Sequence, residues 1–177
     1  MNIRSFSNYV DEFHNFLNTI TNPNKKEHAK SWTIKEVVGH LIDSACNNHR
    51  RFILVNENET VSFPGYEQDL WVKKADYNSH EYSELVRLWY LYNKVILRIV
   101  EQITNEKMSI IVGSKQYTIK EWVIDYYDHM ERHNKQIKRI LNSWCLKGMK
   151  IKTTLEKINI PIAQQLIREL DSELLTR

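Results

Sequence analysis

Tyr117-Thr118-Ile119-Lys120-Glu121-Trp122, continuing through His129-Met130-Glu131-Arg132-His133 to Trp144, decides the fold. Thr118 and Glu121 form a capping box, in which each side chain satisfies the other residue's free backbone donor. Behind it, Trp122, Tyr126, His129, His133, Ile137, Ile140 and Trp144 recur at steps of three and four, the period of one helix face. The opening has an echo in Trp32-Thr33-Ile34-Lys35-Glu36, followed by Val38, Leu41, Ala45 and Phe52. Two helices of the chain therefore begin alike, with a common reference point for comparing their faces.

Working outward, Ile3, Phe6, Val10, Phe13, Leu17 and Ile20 predict a first helix ending near Asn22-Pro23. Tyr82, Leu85, Trp89, Tyr92, Ile96, Ile99 and Ile103 predict another. Between the second and third helices, Asn56 to Asn78 reads as a connection with a Pro64-Gly65 turn. Its length suits a segment that wraps over a site. Met108 to Tyr117, around Gly113-Ser114, reads as a short hairpin. A short additional C-terminal helix is expected from Pro161, with Leu166, Leu170 and Leu174 in step. The expected fold class is all-α: one domain over 1–177, with a four-helix bundle over about 1–145 and an extension over about 146–177.

The totals agree. Four glycines and three prolines in 177 residues are too few for a turn-rich all-β chain. A formal charge of +3 is mild, and no helix carries a basic stripe with interleaved aromatics, so nucleic acid is not an expected partner. No apolar run approaches a membrane span and no signal-peptide core follows Met1, so the expected location is the cytoplasm. Cys46 and Cys145 form no Cys-x-x-Cys pair and read as two buried or idle thiols.

Three histidines carry the chemistry. Counted from the N-cap threonines, His40 lies at offset seven, and His129 and His133 at eleven and fifteen, so all three fall on nearly one face. Two core-facing histidines one turn apart are costly unless both find partners. A divalent transition metal is one solution, since imidazoles at i and i+4 converge on one ion. Hydrogen bonding within the core is the other. Asp125 lies eight residues before His133, a rise of about 12 Å, so both cannot ligate one ion from a straight helix. Its place fits either a hydrogen bond to His129 or a favourable position near the helix N-terminus. His14, His28, His49 and His80 read as surface or helix-end residues.

Val38-Gly39-His40-Leu41-Ile42-Asp43-Ser44, Arg51-Phe52, Tyr66-Glu67-Gln68-Asp69-Leu70-Trp71, and His129-Met130-Glu131-Arg132-His133 with Ile137 together resemble the DinB-like superfamily. Within it the pattern is similar to the YfiT-type branch of metal-dependent hydrolases, which includes bacillithiol S-transferases. The resemblance spans roughly residues 30 to 142. It implies an up-up-down-down four-helix bundle, often a homodimer, with a metal on His40, His129 and His133. Arg132 and Gln136 stand where that branch is rich in further histidines, and Gln68 where an acid is common.

Three neutral imidazoles would leave an ion with its double charge and an open position, as in catalytic sites. Zinc, nickel, copper and iron all suit such ligands, with zinc or nickel expected first. His40, Ser44, Asn47 and Arg51 form one polar strip along their helix. Arg51 either meets an anionic substrate group or makes a surface ion pair. Asp43 either orients an imidazole and takes a proton, or is a solvated helix position. Tyr66 and Trp71 either wall a pocket or pin the connection to the core. The leading expectation is a metal-dependent enzyme acting on a small molecule, by transfer of a low-molecular-weight thiol ahead of hydrolysis. The competing one is a non-catalytic bundle that binds metal or ligand in a stress response.

Overall fold

The computed structural model describes residues 3–57, 65–112 and 117–156. Helices α1 (Ile3–Asn18), α2 (Ile34–Glu57), α4 (Tyr82–Glu101) and α6 (Ile119–Glu156) form a four-helix bundle. Two short helices, α3 (Gln68–Ala75) and α5 (Asn105–Met108), lie in the connections, with a 3-10 turn over Tyr77–Ser79. Strands β1 (Ile111–Val112) and β2 (Tyr117–Thr118) pair antiparallel just before α6. The hairpin is therefore present, although its Gly113-Ser114 tip lies outside the described residues.

Cross-helix contacts set the helix directions. Leu17 meets Tyr82 and Asp11 meets Lys94, so α1 and α4 are antiparallel. Thr33 meets Asn78 and His49 meets Tyr92, so α2 and α4 run the same way. His40 meets His133 and Arg51 meets Trp122, so α2 and α6 are antiparallel. In chain order the four helices run up-down-down-up, which corrects the up-up-down-down order implied by resemblance. The physical reason is the connection after α2, which returns the chain to the end where α2 began before α4 starts.

Both capping boxes form. Thr33 N donates to Glu36 Oε2 at 2.7 Å and Glu36 N to Thr33 Oγ1 at 3.1 Å. The corresponding bonds at Thr118 and Glu121 are 2.8 and 3.2 Å. The stripes bury as their period requires: Phe6, Val10, Phe13 and Leu17 from α1, Ile34, Val38, Leu41, Ala45 and Phe52 from α2, Trp89 and Ile96 from α4, and Tyr126, Ile137 and Ile140 from α6. One polar bond ties α4 to α6 inside this core, Tyr126 Oη donating to Asn93 Oδ1 at 2.7 Å.

Boundaries differ from the sequence reading in three places. α1 stops at Asn18, although Ile20 still packs into the core. The connection after α2 is not a bare loop, since Gln68–Ala75 and Tyr77–Ser79 are helical. α6 continues unbroken past Trp144 and Gly148 to Glu156. The helix expected from Pro161 lies outside the described residues, as does the thiol side chain of Cys145. Cys46 is exposed and not buried.

Gly39 is a point of close approach in the bundle. The Tyr77 ring lies against it, and a Cβ built on Gly39 would collide with the ring atoms. From this seat Tyr77 Oη reaches Asp43 Oδ1, 2.7 Å away. Helix propensity alone would make Gly39→Ala stabilising by about 1 kcal/mol, whereas overpacking costs about 1–3 kcal/mol. Gly39→Ala should therefore lower the thermal midpoint in the native background and raise it when Tyr77 is also alanine. A midpoint raised in both backgrounds would refute the close approach.

Candidate metal centre

His40 comes from the second turn of α2, and His129 and His133 from the middle of α6. Because the helices are antiparallel, their offset imidazoles meet at one level. His129 Nε2 lies 3.1 Å from His40 Nε2 and 3.0 Å from His133 Nε2. Ligand atoms of all three fall within 4.8 Å of one another. At metal–nitrogen bonds of about 2.0–2.1 Å, neighbouring imidazole nitrogens sit roughly 3.0 Å apart at right angles and 3.4 Å at the tetrahedral angle. The observed spacings fit an ion held on one face by three nitrogens.

The rings are also in the protonation state that such an ion needs. Burial holds His40 down to about 4 and His129 down to about 3, with the neighbouring imidazoles adding to both shifts. His133 is lowered too, by burial, against the opposing bond to Gln136. All three are neutral at neutral pH, as ligating imidazoles must be. Gln136 Oε1 lies 2.8 Å from His133 Nδ1, and Ser44 Oγ lies 3.0 Å from His129 Nδ1. A ring that donates from Nδ1 keeps Nε2 bare for a ligand role.

Beside the triad a cleft of about 240 Å³ opens between α2, α6 and the Tyr66–Gln68 segment. Its polar wall includes Ser44, Asn48 and Arg51 from α2, and Asp125 and Arg132 from α6. The strip expected from sequence is thus present with one change. Asn48 takes the place of Asn47, whose amide is spent on its own helix at Asp43 O. Arg51 is half-buried, packs 5.1 Å over the Trp122 ring and meets Asn48 Oδ1 at 3.4 Å. Burial draws its pKa down, opposed by Tyr66 and Asp125. Asp125 and Arg132 approach to 4.0 Å.

Asp43 is not the solvated helix position it could have been. It is buried, accepts from Tyr77, and burial pushes its pKa up against that bond. Tyr66 lies 6.4 Å from the His40 ring and packs on Trp71 at 4.9 Å, so it walls the cleft while Trp71 backs it. The sequence reading missed Asn48 and Tyr77. No spacing rule reaches Tyr77, because its contact with α2 depends on how the connection folds back. Of the remaining histidines, His28 and His80 are exposed, His14 stacks on Tyr90, and His49 packs against Tyr92.

YfiT from Bacillus subtilis, described as "a probable metal-dependent hydrolase with an unusual four-helix bundle topology", superposes with a TM-score of 0.68. The match covers 82% of this chain and 87% of YfiT at 18% identity. This chain is a YfiT-like four-helix bundle. A protein of Oceanobacillus iheyensis named "Putative metal-dependent hydrolase OB0413" is 30% identical over 76 residues. That match spans 43% of this chain and 43% of the relative, less than half the length of either. No protein-family model matches the chain. No helix among the described residues is long and apolar enough to cross a membrane.

Untagged protein titrated with zinc or nickel should take up one equivalent per chain by elemental analysis. His129→Ala/His133→Ala should take up none while keeping its helical circular dichroism. Stoichiometric metal in the double variant would place the site elsewhere.

Proposed function

We propose that this protein is a metal-dependent enzyme that transfers a small anionic thiol to an electrophile. The observation that carries this reading is the convergence of three neutral imidazoles, two of which, His40 and His129, line a cleft that Arg51 and Arg132 also line. A divalent transition ion held by His40, His129 and His133 supplies Lewis acidity, lowering the pKa of a thiol or water brought to it.

The chain's own groups favour the thiol. Asp43 is held by Tyr77, and Asp125 is the carboxylate among the residues that line the cleft, beside Arg132. A thiol has an ordinary pKa of about 8.5 and ionises near a cation without a strong base. Water, with a pKa of about 15.7, asks more of its surroundings. Arg51 is the group for a substrate carboxylate: its guanidinium is half-buried, is supported by the Trp122 ring and offers paired donors. Tyr66 closes the side of the cleft next to His40.

Hydrolysis is the second reading. Its supports are the names of the two similar proteins and the position of Asp125, which could accept a proton from water in the cleft.

Metal-loaded protein should consume free thiol in the presence of an alkylating or epoxide electrophile. His129→Ala should abolish this turnover. Arg51→Ala should raise KM for carboxylate-bearing thiols by about tenfold or more and leave neutral thiols little changed, since a hydrogen bond to a charged group is worth about 1.5–3 kcal/mol. Ester or amide cleavage without thiol consumption would replace this reading with the hydrolytic one. Metal-loaded protein inactive in both assays would be a binding bundle.

A further inference from the structure

Two buried polar atoms near the centre have no partner: His40 Nδ1 and Asp43 Oδ2. They belong to residues three apart on α2, one helical turn along the same face. Both side chains are at least nine-tenths buried, with 1% of His40 and 7% of Asp43 exposed. An isolated buried donor or acceptor is costly to leave unmade. Here the two needs are opposite in kind. With His40 Nε2 turned to the other imidazoles and serving as a metal ligand, its ring proton is carried on Nδ1, which makes that atom a donor. A carboxylate oxygen only accepts.

The remaining atoms of Asp43 are already committed. Oδ1 takes the Tyr77 hydroxyl at 2.7 Å, and the Tyr77 ring is seated on Gly39. The carboxylate is thus anchored through Oδ1 while Oδ2 has no partner, one helical turn from a histidine whose Nδ1 has none. His129 and His133 differ, since their Nδ1 atoms already meet Ser44 and Gln136. Of the three imidazoles, His40 alone has an unpartnered Nδ1 among the described residues.

We propose that Asp43 is the positioning residue of His40: with metal bound, Asp43 Oδ2 accepts the His40 Nδ1–H, and Tyr77 on Gly39 fixes the carboxylate for that bond. The assignment rests on His40 being a metal ligand. It gives Gly39, His40, Asp43 and Tyr77 one joint task. Gly39 makes room for the ring, the ring's hydroxyl aims the carboxylate, and the carboxylate orients the imidazole. Asp43 acts through His40 and does not touch substrate.

Zinc affinity measured by chelator competition separates this inference from the metal reading itself. Native protein that binds no zinc defeats the metal reading. If native protein binds zinc, Asp43→Ala should bind it about 10–100-fold more weakly, the usual loss for such a partner. Tyr77→Phe, which keeps the ring on Gly39, should bind more weakly by a smaller factor. Nitrogen-detected NMR of zinc-loaded native protein should show a slowly exchanging, downfield His40 Nδ1–H, lost in Asp43→Ala. An Asp43→Ala affinity within twofold of native would overturn the proposal. So would a native His40 ring proton exchanging at the bulk rate, a readout that stands even if the alanine variant does not fold.

Discussion

Two imidazole nitrogens, of His40 and His133, packed about a third, His129 Nε2, are the constraint around which this bundle is organised. A neutral imidazole carries one ring proton, on one nitrogen or the other. With Gln136 Oε1 facing Nδ1, His133 donates there and its Nε2 is a bare acceptor. His129 can then place its own proton on Nε2, taking the Ser44 hydroxyl at Nδ1, and donate to one neighbour. The contact with the other neighbour is satisfied only by dividing that proton between them. Burial forbids the easy remedy of adding a proton, since it holds His40 and His129 far below the ordinary histidine range. A cation at the centre satisfies all three lone pairs at once. Hydrogen bonds among the rings satisfy them only in part.

The up-down-down-up order serves the same centre. α2 lies antiparallel to α6, with His40 against His133 and Arg51 against Trp122, and parallel to α4, so the chain after α2 returns along the bundle. That return carries Tyr66 to one side of His40 and Tyr77 to Gly39 and Asp43. A simple hairpin between α2 and α4 would leave both places bare. The length of the connection is therefore the means by which the centre acquires its outer wall.

Much of this was legible in the residues. The two Thr-x-x-Glu boxes located the starts of α2 and α6, because a capping box is a local contract between residues three apart. Counting from them placed His40 opposite the α6 pair, because helical phase is a property of the chain alone. Helix ends were less legible. Ile20 keeps the periodicity of α1 after the helix has ended, since a core position can be filled by a turn as well as by a helix. Gly148 does not stop α6, because a single glycine costs a helix only about 1 kcal/mol. Helix direction, Asn48 and Tyr77 were out of reach, being set by contacts between distant segments. Asp43 was visible as a candidate, but its burial was not: that depends on the Tyr77 ring lying across Gly39.

The placement of so many polar groups in one layer also bears on stability. His40, Asp43, Ser44 and Asn48 occupy the middle of α2 at nearly full burial, in positions where apolar side chains would add packing. Such a layer contributes less hydrophobic stabilisation than its neighbours, and each unpaired atom in it subtracts more. A ligand that binds only the folded state reverses the balance, adding about 2.7 kcal/mol when present at a hundred times its dissociation constant. Aromatic packing elsewhere among the helices, Phe13 against Trp89 and Phe52 against Tyr126, adds apolar contacts that do not involve the polar groups. The bundle can therefore carry a polar centre without depending on it to fold, and the centre is free to be shaped by what it binds.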